Sequence, residues 1–264
     1  MLTSAKGRIV ERLFVHHAGE RGVLSVGGSG AGPRVVEHLT RFTFAEQTGL
    51  EDATEKTFQL ALIGPAAEEA LQSLGIEAPE PFQTREASAA GVELLVLGQD
   101  GSSGDGFSLV GESDSKKDVW DKFAAEVQPA GAEALEAWRI LRGLPGAGHE
   151  LTEQHNPLEA GLWDAVDFDK GCYVGQEVVA RLRTYDKVSR AIVGLELPGT
   201  GELPEPGAKL FDGERPVGEL TSAAALPGTE RRIGLAYIKK RDLREAMELR
   251  LGDGRARVVE LPFS

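Results

Sequence analysis

Lys170-Gly171-Cys172-Tyr173-Val174-Gly175-Gln176-Glu177 is the stretch of this 264-residue chain on which the reading of the fold turns. Ala165-Val166-Asp167-Phe168 precedes it and reads as a short strand, and Gly175 to Arg183 follows as a helix. Between them lies a tight turn, so Cys172 falls just before a helix amino terminus. Unpaired amide N–H groups there, with Lys170 two residues away, would stabilise a thiolate and make a reactive cysteine. A small buried apolar residue is the other state open to a free cysteine, and the commoner one. Glu177 and Arg181 stand four apart in the favourable order, which serves a helical ion pair as readily as a ligand contact.

The charge around this stretch runs against the rest of the chain. Lys170, Arg181, Arg183, Lys187 and Arg190 oppose only Glu177 and Asp186, a local balance of +3 in a protein of net charge −13. Such an island suits a small carboxylate-bearing ligand, which arginine holds bidentately, and it equally suits a solvated helix face. An acidic chain repels polyanions at long range, which excludes general nucleic-acid binding. Cys172 is the only cysteine, so neither an intrachain disulfide nor a Cys-x-x-Cys pair exists. His16, His17, His38, His149 and His155 include no pair at His-x-x-x-His spacing, and no metal site is assigned. With 41% hydrophobic and 27% charged residues, no apolar run near the roughly 20 residues of a membrane span, and no apolar stretch at Met1–Arg8, a cytoplasmic location away from membranes is expected.

Outward from the signature the chain divides into two or three modules. Residues 8–15 and 20–26 read as a pair of strands. The turn Gly27-Gly28-Ser29-Gly30-Ala31-Gly32-Pro33 leads into a helix bearing Val35, Val36, Leu39 and Phe42. As a phosphate cradle it fails, because Pro33 occupies the place of the third glycine or of the P-loop lysine. Residues 58–63 read as a strand and Gly64-Pro65 as a helix start. Val92–Leu97 and Phe107–Val110 flank a hairpin loop, Gly98 to Gly106, and Ser115-x-x-Asp118 caps a further helix. The order β-α-β-β-α predicts a ferredoxin-like module. A helix is expected over about Gly131–Arg142 with Ala134, Leu135, Trp138 and Leu141 on one stripe. From Arg190 onward six short apolar runs predict a small β-barrel.

Taken together, Lys170-Gly171-Cys172-Tyr173-x-Gly175-Gln176-Glu177 with Ala180-Arg181 resembles the signature of YgfZ-type proteins, a branch of the glycine-cleavage T-protein aminomethyltransferase superfamily. Lys6-Gly7-Arg8, Gly64-Pro65, Asn156-Pro157-Leu158-Glu159-Ala160 and Gly218-x-Leu220-Thr221-Ser222 resemble further elements of it, so the likeness runs along nearly the whole chain. It implies an α+β protein of three modules around a central opening that holds tetrahydrofolate. These are a mixed α/β folate-binding module over 1–52 and 130–188, abbreviated at its amino terminus, a ferredoxin-like module over 53–129, and a C-terminal β-barrel over 189–264.

The same resemblance implies an accessory role in assembling or repairing iron–sulfur clusters, with Cys172 as the functional thiol beside Lys170 and with client enzymes or assembly factors as partners. Arg139, Glu159, Tyr173, Gly175, Gln176, Glu177, Arg181 and Arg183 are the candidate contacts to reduced folate. A folate-dependent aminomethyltransferase and a folate-sensing regulator are the alternative activities. Where many relatives carry Ile-Glu after the arginine, this chain carries Ile140-Leu141, and leucine cannot accept the paired hydrogen bonds of a pterin edge.

Overall fold

A computed structural model describes residues 1–99, 106–199, 201–244 and 247–263. Two compact units share the chain: Met1–Arg12 with Ala130–Ser264, and Leu13–Pro129. The first opens with the short antiparallel strands β1 (Leu2–Thr3) and β2 (Ile9–Glu11).

The second unit then begins with a hairpin of β3 (Phe14–His17) and β4 (Val23–Val26), followed by helix α1 (Gly32–Thr40), which carries Pro33 in its first turn. Its sheet is built from β5 (Thr57–Ile63), β6 (Thr84–Ala89), β7 (Val92–Gly98) and β8 (Gly106–Glu112), with α2 (Ala67–Ser73) after β5 and α3 (Lys116–Ala124) after β8. The strand order is β5-β8-β7-β6 and every pairing is antiparallel. On one face Phe58, Leu62, Leu94, Val96 and Leu109 meet Leu71 of α2 and Val119 and Phe123 of α3. On the other, Leu95, Leu97 and Val110 pack with Ala18, Leu24 and Val26. Coverage on both faces is why Leu94-Leu95-Val96-Leu97 is an unbroken apolar run rather than an alternating one.

Four features of this unit depart from the expectations. The apolar run 8–15 is not one strand: it breaks at Arg12, and β2 and β3 belong to different units. Residues 13–52, assigned from sequence to the folate-binding module, fall in the second unit, where the β3–β4 hairpin covers a sheet face. The element order is β-α-β-β-β-α, one strand more than the ferredoxin-like order expected. The added strand, Thr84-Arg85-Glu86-Ala87-Ser88-Ala89, lies at the sheet edge and lacks the large apolar residues that mark strands in sequence. Ser115 precedes α3 without a side-chain cap, because a 3-10 turn over Ser113–Ser115 feeds the helix instead. Of the connection between β7 and β8, residues 100–105 lie outside the described residues.

Returning to the first unit, α4 (Ala132–Leu141) and α5 (Gln176–Thr184) precede six strands: β9 (Arg190–Glu196), β10 (Lys209–Asp212), β11 (Arg215–Ala225), β12 (Arg232–Lys239), β13 (Glu248–Leu251) and β14 (Gly254–Val259). They close into a barrel in the order β10-β11-β12-β9-β14-β13, as the six apolar runs predict. Leu195, Leu210, Val217, Leu220, Ala236, Ile238 and Leu249 are among the side chains that fill it. Ala137 and Ile140 of α4 pack on Ala224, Ile233 and Leu235, so β12 is buried on both faces. That docking explains why 130–188 and the expected barrel module form one unit. Ala165–Phe168 is not a strand: the Asp167 carboxylate accepts the amides of Asp169 and Lys170 at 2.9 and 3.0 Å and turns the chain there. Val166 and Phe168 still bury against Leu158, Val179 and Val188. Among the described residues no helix is long and apolar enough to cross a membrane.

Leu141 packs, half-buried, on the α4–barrel cluster, and its carbonyl accepts the amide of Phe263 at 3.0 Å. Leu141→Glu is therefore expected to lower unfolding free energy by about 1–3 kcal/mol, more than Leu141→Ala. Urea denaturation of the two variants measures this, and an unchanged midpoint for the glutamate would remove Leu141 from the packed layer.

Candidate functional site

The signature turn takes its shape from two glycines. Gly175, the N-cap of α5, has φ of 83°, in the left-handed region that favours glycine, and a Cβ there would collide with the carbonyl oxygen of Ser4 and crowd Gly7. Gly7, with φ of 65°, lies against Val178 and Val179 on the helix's first turn. The Gly7 amide donates to Ser4 O at 2.8 Å, and the Thr3 hydroxyl donates to Val174 O. Lys6-Gly7-Arg8 and Lys170–Glu177, more than 160 positions apart, are thus halves of one local structure.

Cys172 is exposed, four residues before Gln176, and the helix-capping position belongs to Gly175. The exposed thiol rules out the reading of a small buried apolar residue. Lys170 Nζ lies 5.5 Å from the Tyr173 ring centroid, and Gln176 Nε2 donates to Lys170 O at 3.4 Å. The Tyr173 hydroxyl is buried with no hydrogen-bond partner among the described residues, and burial together with Asp167 pushes its pKa up. Along α5, Glu177 and Arg181 form an exposed pair at 4.0 Å, while Arg183 lies over the Phe168 ring at 4.2 Å. Lys170, Cys172, Tyr173, Gly175, Gln176, Glu177, Arg181 and Arg183 therefore share one turn and its helix.

Glu159 sits elsewhere in the same unit. Asn156 Oδ1 accepts the amides of Leu158 and Glu159 at 3.0 Å, and Glu159 Oε2 accepts the amide of Asn156 at 3.3 Å, a reciprocal capping box. Ser189 Oγ donates to Glu159 Oε1 at 2.8 Å, and Arg8 Nη1 lies 3.6 Å from Oε2. His155 is buried and stacked on Tyr237 at 3.6 Å between ring centroids. Burial, opposed by Glu159 and reinforced by Arg190 and Arg8, lowers its pKa to about 4.

Arg139 serves α4 and the barrel. Nε donates to Glu136 at 2.8 Å, Nη1 to Leu144 O at 2.6 Å and Glu150 Oε2 at 2.9 Å, and Nη2 to Ser222 Oγ at 2.7 Å and to Glu136. All five guanidinium donors are used within the protein. Glu150, fully buried, also accepts the Gly146 amide at 2.8 Å, the Ser222 hydroxyl at 2.7 Å and the Thr221 hydroxyl, while its carbonyl accepts the Tyr237 hydroxyl at 3.1 Å. Sequence reading missed Glu150, which stands in a Gly-rich loop without periodicity. Its partners Thr221-Ser222 were noted only as a resemblance. Among the described residues no group of three or more His, Cys, Asp or Glu is placed to hold a metal ion.

Two outcomes follow. Between pH 6.5 and about 4 the unfolded chain binds a proton at His155 that the native state refuses, so stability falls as pH drops through that window, and His155→Phe should flatten the slope in pH-resolved urea denaturation. Gly175→Ala should cost roughly 2 kcal/mol or more in the same assay, since both backbone conformation and space oppose a side chain. A neutral effect would mean the turn relaxes freely.

Residues 1–170 match the family model described as GCVT N-terminal domain, and residues 190–264 match the glycine cleavage T-protein C-terminal barrel domain. The aminomethyltransferase of Symbiobacterium thermophilum is 33% identical over 278 residues, covering 97% of this chain and 73% of the relative. A chloroplastic protein of Arabidopsis thaliana is 32% identical over 235 residues, which covers 87% of this chain and 54% of the relative, so the chain spans about half of that protein's length. The crystal structure of the glycine cleavage system aminomethyltransferase T from Bartonella henselae has the same fold, with a TM-score of 0.85 at 23% identity over 100% of this chain and 74% of that one. With both domain models matched over most of its length, this chain belongs to the glycine-cleavage T-protein family.

Proposed function

We propose that this chain is a YgfZ-type, reduced-folate-binding accessory protein that acts through the Cys172 thiol in assembling or repairing iron–sulfur clusters of client enzymes. The observation that carries the reading is the exposed thiol on a turn held by Thr3, Gly7 and Gly175. Two glycines in left-handed conformation and a close backbone approach fix the turn, and here they present a side chain to solvent rather than bury one. Soft sulfur in that position suits ligation of iron or exchange with a partner's disulfide, from which a thiolate leaves.

The residues around the turn fit a folate in part. Tyr173 offers a buried hydroxyl without a partner among the described residues, and Arg181 and Arg183 offer cations for glutamyl carboxylates. Arg139 and Glu159 also bond within the protein, which holds α4, the barrel and the Asn156 turn in place. When bound, tetrahydrofolate supplies a nitrogen carrier for a one-carbon unit. Aminomethyl transfer to folate is the second reading, favoured by relatives that carry the name aminomethyltransferase. Turnover with an aminomethyl-lipoyl carrier protein distinguishes that enzyme from an accessory factor.

The expected outcome is saturable binding of tetrahydrofolate by calorimetry, with a rise in melting temperature, and native-state alkylation of Cys172 that bound folate slows. Cys172→Ser should leave stability and folate affinity nearly unchanged yet fail to restore iron–sulfur enzyme activity in cells lacking the protein. Full restoration by the serine variant would leave the thiol without a role, and an absence of folate binding would remove the ligand reading.

A further inference from the structure

The end of α5 and the start of the barrel form a surface that the linear sequence does not announce. Tyr185, Asp186 and Lys187 close the helix by donating their amides to Arg181, Arg183 and Leu182 carbonyls at 3.1, 3.2 and 2.9 Å. Asp186 adopts φ of 46°, uncommon for a residue with a side chain, and its carboxylate holds Lys240 Nζ at 2.9 Å. The Lys240 amide in turn donates to Ser189 O at 2.9 Å. One strand further, Arg190 and Lys239 stand directly opposite each other in the antiparallel ladder of β9 and β12. Like charges in that relation destabilise a sheet, so the fold keeps this pair at a cost.

Arg183, Lys187, Arg190, Lys239 and Lys240 are thereby gathered with Asp186 as the one acid among them. Among the described residues Arg183, Lys187 and Arg190 have no carboxylate partner, and the neighbouring acids Glu159, Glu177 and Asp242 are paired with Arg8, Arg181 and Arg215. Tyr185, 63% exposed, stands in the same turn with Lys187 Nζ 5.6 Å from its ring centroid. Arg183 is pre-oriented by its stacking on Phe168.

We infer that this ridge is the docking surface for an acidic segment of a partner protein. Exposed tyrosine beside arginine is what protein-binding patches are enriched in, and the surrounding lysines supply charge for steering rather than contact area. The cations gathered here, in a chain of net −13, set up a local field that attracts carboxylates, while the long-range repulsion of the remainder disfavours an extended nucleic-acid backbone. The inference stands without the folate reading at Lys187, Arg190, Lys239 and Lys240, which are not folate contacts; Arg183 alone is shared with that reading, and the test leaves it unchanged.

Fluorescence anisotropy of a labelled decapeptide of glutamate, titrated with the whole protein at low salt, tests it. The peptide should bind with an affinity that falls as salt rises. Replacing Lys187, Arg190 and Lys240 with glutamine should weaken binding by about tenfold or more. The same change in charge on α3, at Lys116, Lys117 and Lys122, should alter it less than about twofold if the charge acts locally. Lys187→Glu alone, on an exposed turn, gives the same direction should the triple variant be destabilised. Equal losses from both triple variants, an absence of peptide binding, or tighter binding of a single-stranded oligonucleotide of equal charge would each overturn the assignment.

Discussion

Glu150 is a carboxylate withdrawn from water and surrounded by donors from three parts of the first unit: Arg139 on α4, the Gly146 amide in the following loop, and Thr221 and Ser222 on barrel strand β11. An ionised group in that position is tolerable only if its oxygens are paired, and removal of one partner leaves a buried charge uncompensated. Charge balance is shared with Glu136, whose carboxyl Arg139 holds below its usual pKa. The consequence is positional. Helix, loop and strand must approach in a single register for the bonds to form together, and Ala137 and Ile140 then find Ala224, Ile233 and Leu235 across the interface. Apolar burial supplies the larger share of the attraction, while the Glu150 network selects the arrangement.

With the barrel and α4 in register, the loop after α4 is guided into the Asn156–Glu159 capping box and on toward the signature. There the second constraint takes over, the close approach of Gly7 to Gly175. Its physical content differs from that of the Glu150 site, since it depends on missing side chains rather than on charge. Both constraints tie residues far apart in sequence, and both surround groups that a reader of the sequence would treat as ligand contacts. The resemblance marks Arg139 and Glu159 as folate contacts; in the structure all five Arg139 donors and both Glu159 oxygens also make bonds inside the protein.

Elements with strong local signals were readable in advance. The six apolar runs after Arg190 became the six barrel strands, the helix expected over Gly131–Arg142 became α4, although it buries Ala137 and Ile140 rather than the stripe of Ala134, Leu135, Trp138 and Leu141, and the Gly175–Arg183 segment became α5, displaced by a residue. Elements whose conformation is set by competing hydrogen bonds were not readable. Asp167 uses its own side chain to turn a segment that alternates like a strand, and the 3-10 turn over Ser113–Ser115 takes the place of the Ser115 cap. Strand β6 forms because β7 offers it a ladder, although its residues carry little strand preference of their own.

By itself, then, the sequence determined the family, the α+β class, the closed barrel and the local +3 charge around the only cysteine, because each is written in periodicity, composition or a contiguous motif. Tertiary structure alone decided that residues 13–52 join the second unit, that Arg139 and Glu159 make internal bonds, that Cys172 is exposed, and that Lys239 and Lys240 meet Arg190 and Asp186. The reason lies in range. Propensity and periodicity act over a few neighbouring residues, whereas the burial of a charge, the room for a Cβ and the pairing of two strands depend on partners that only the folded chain brings together.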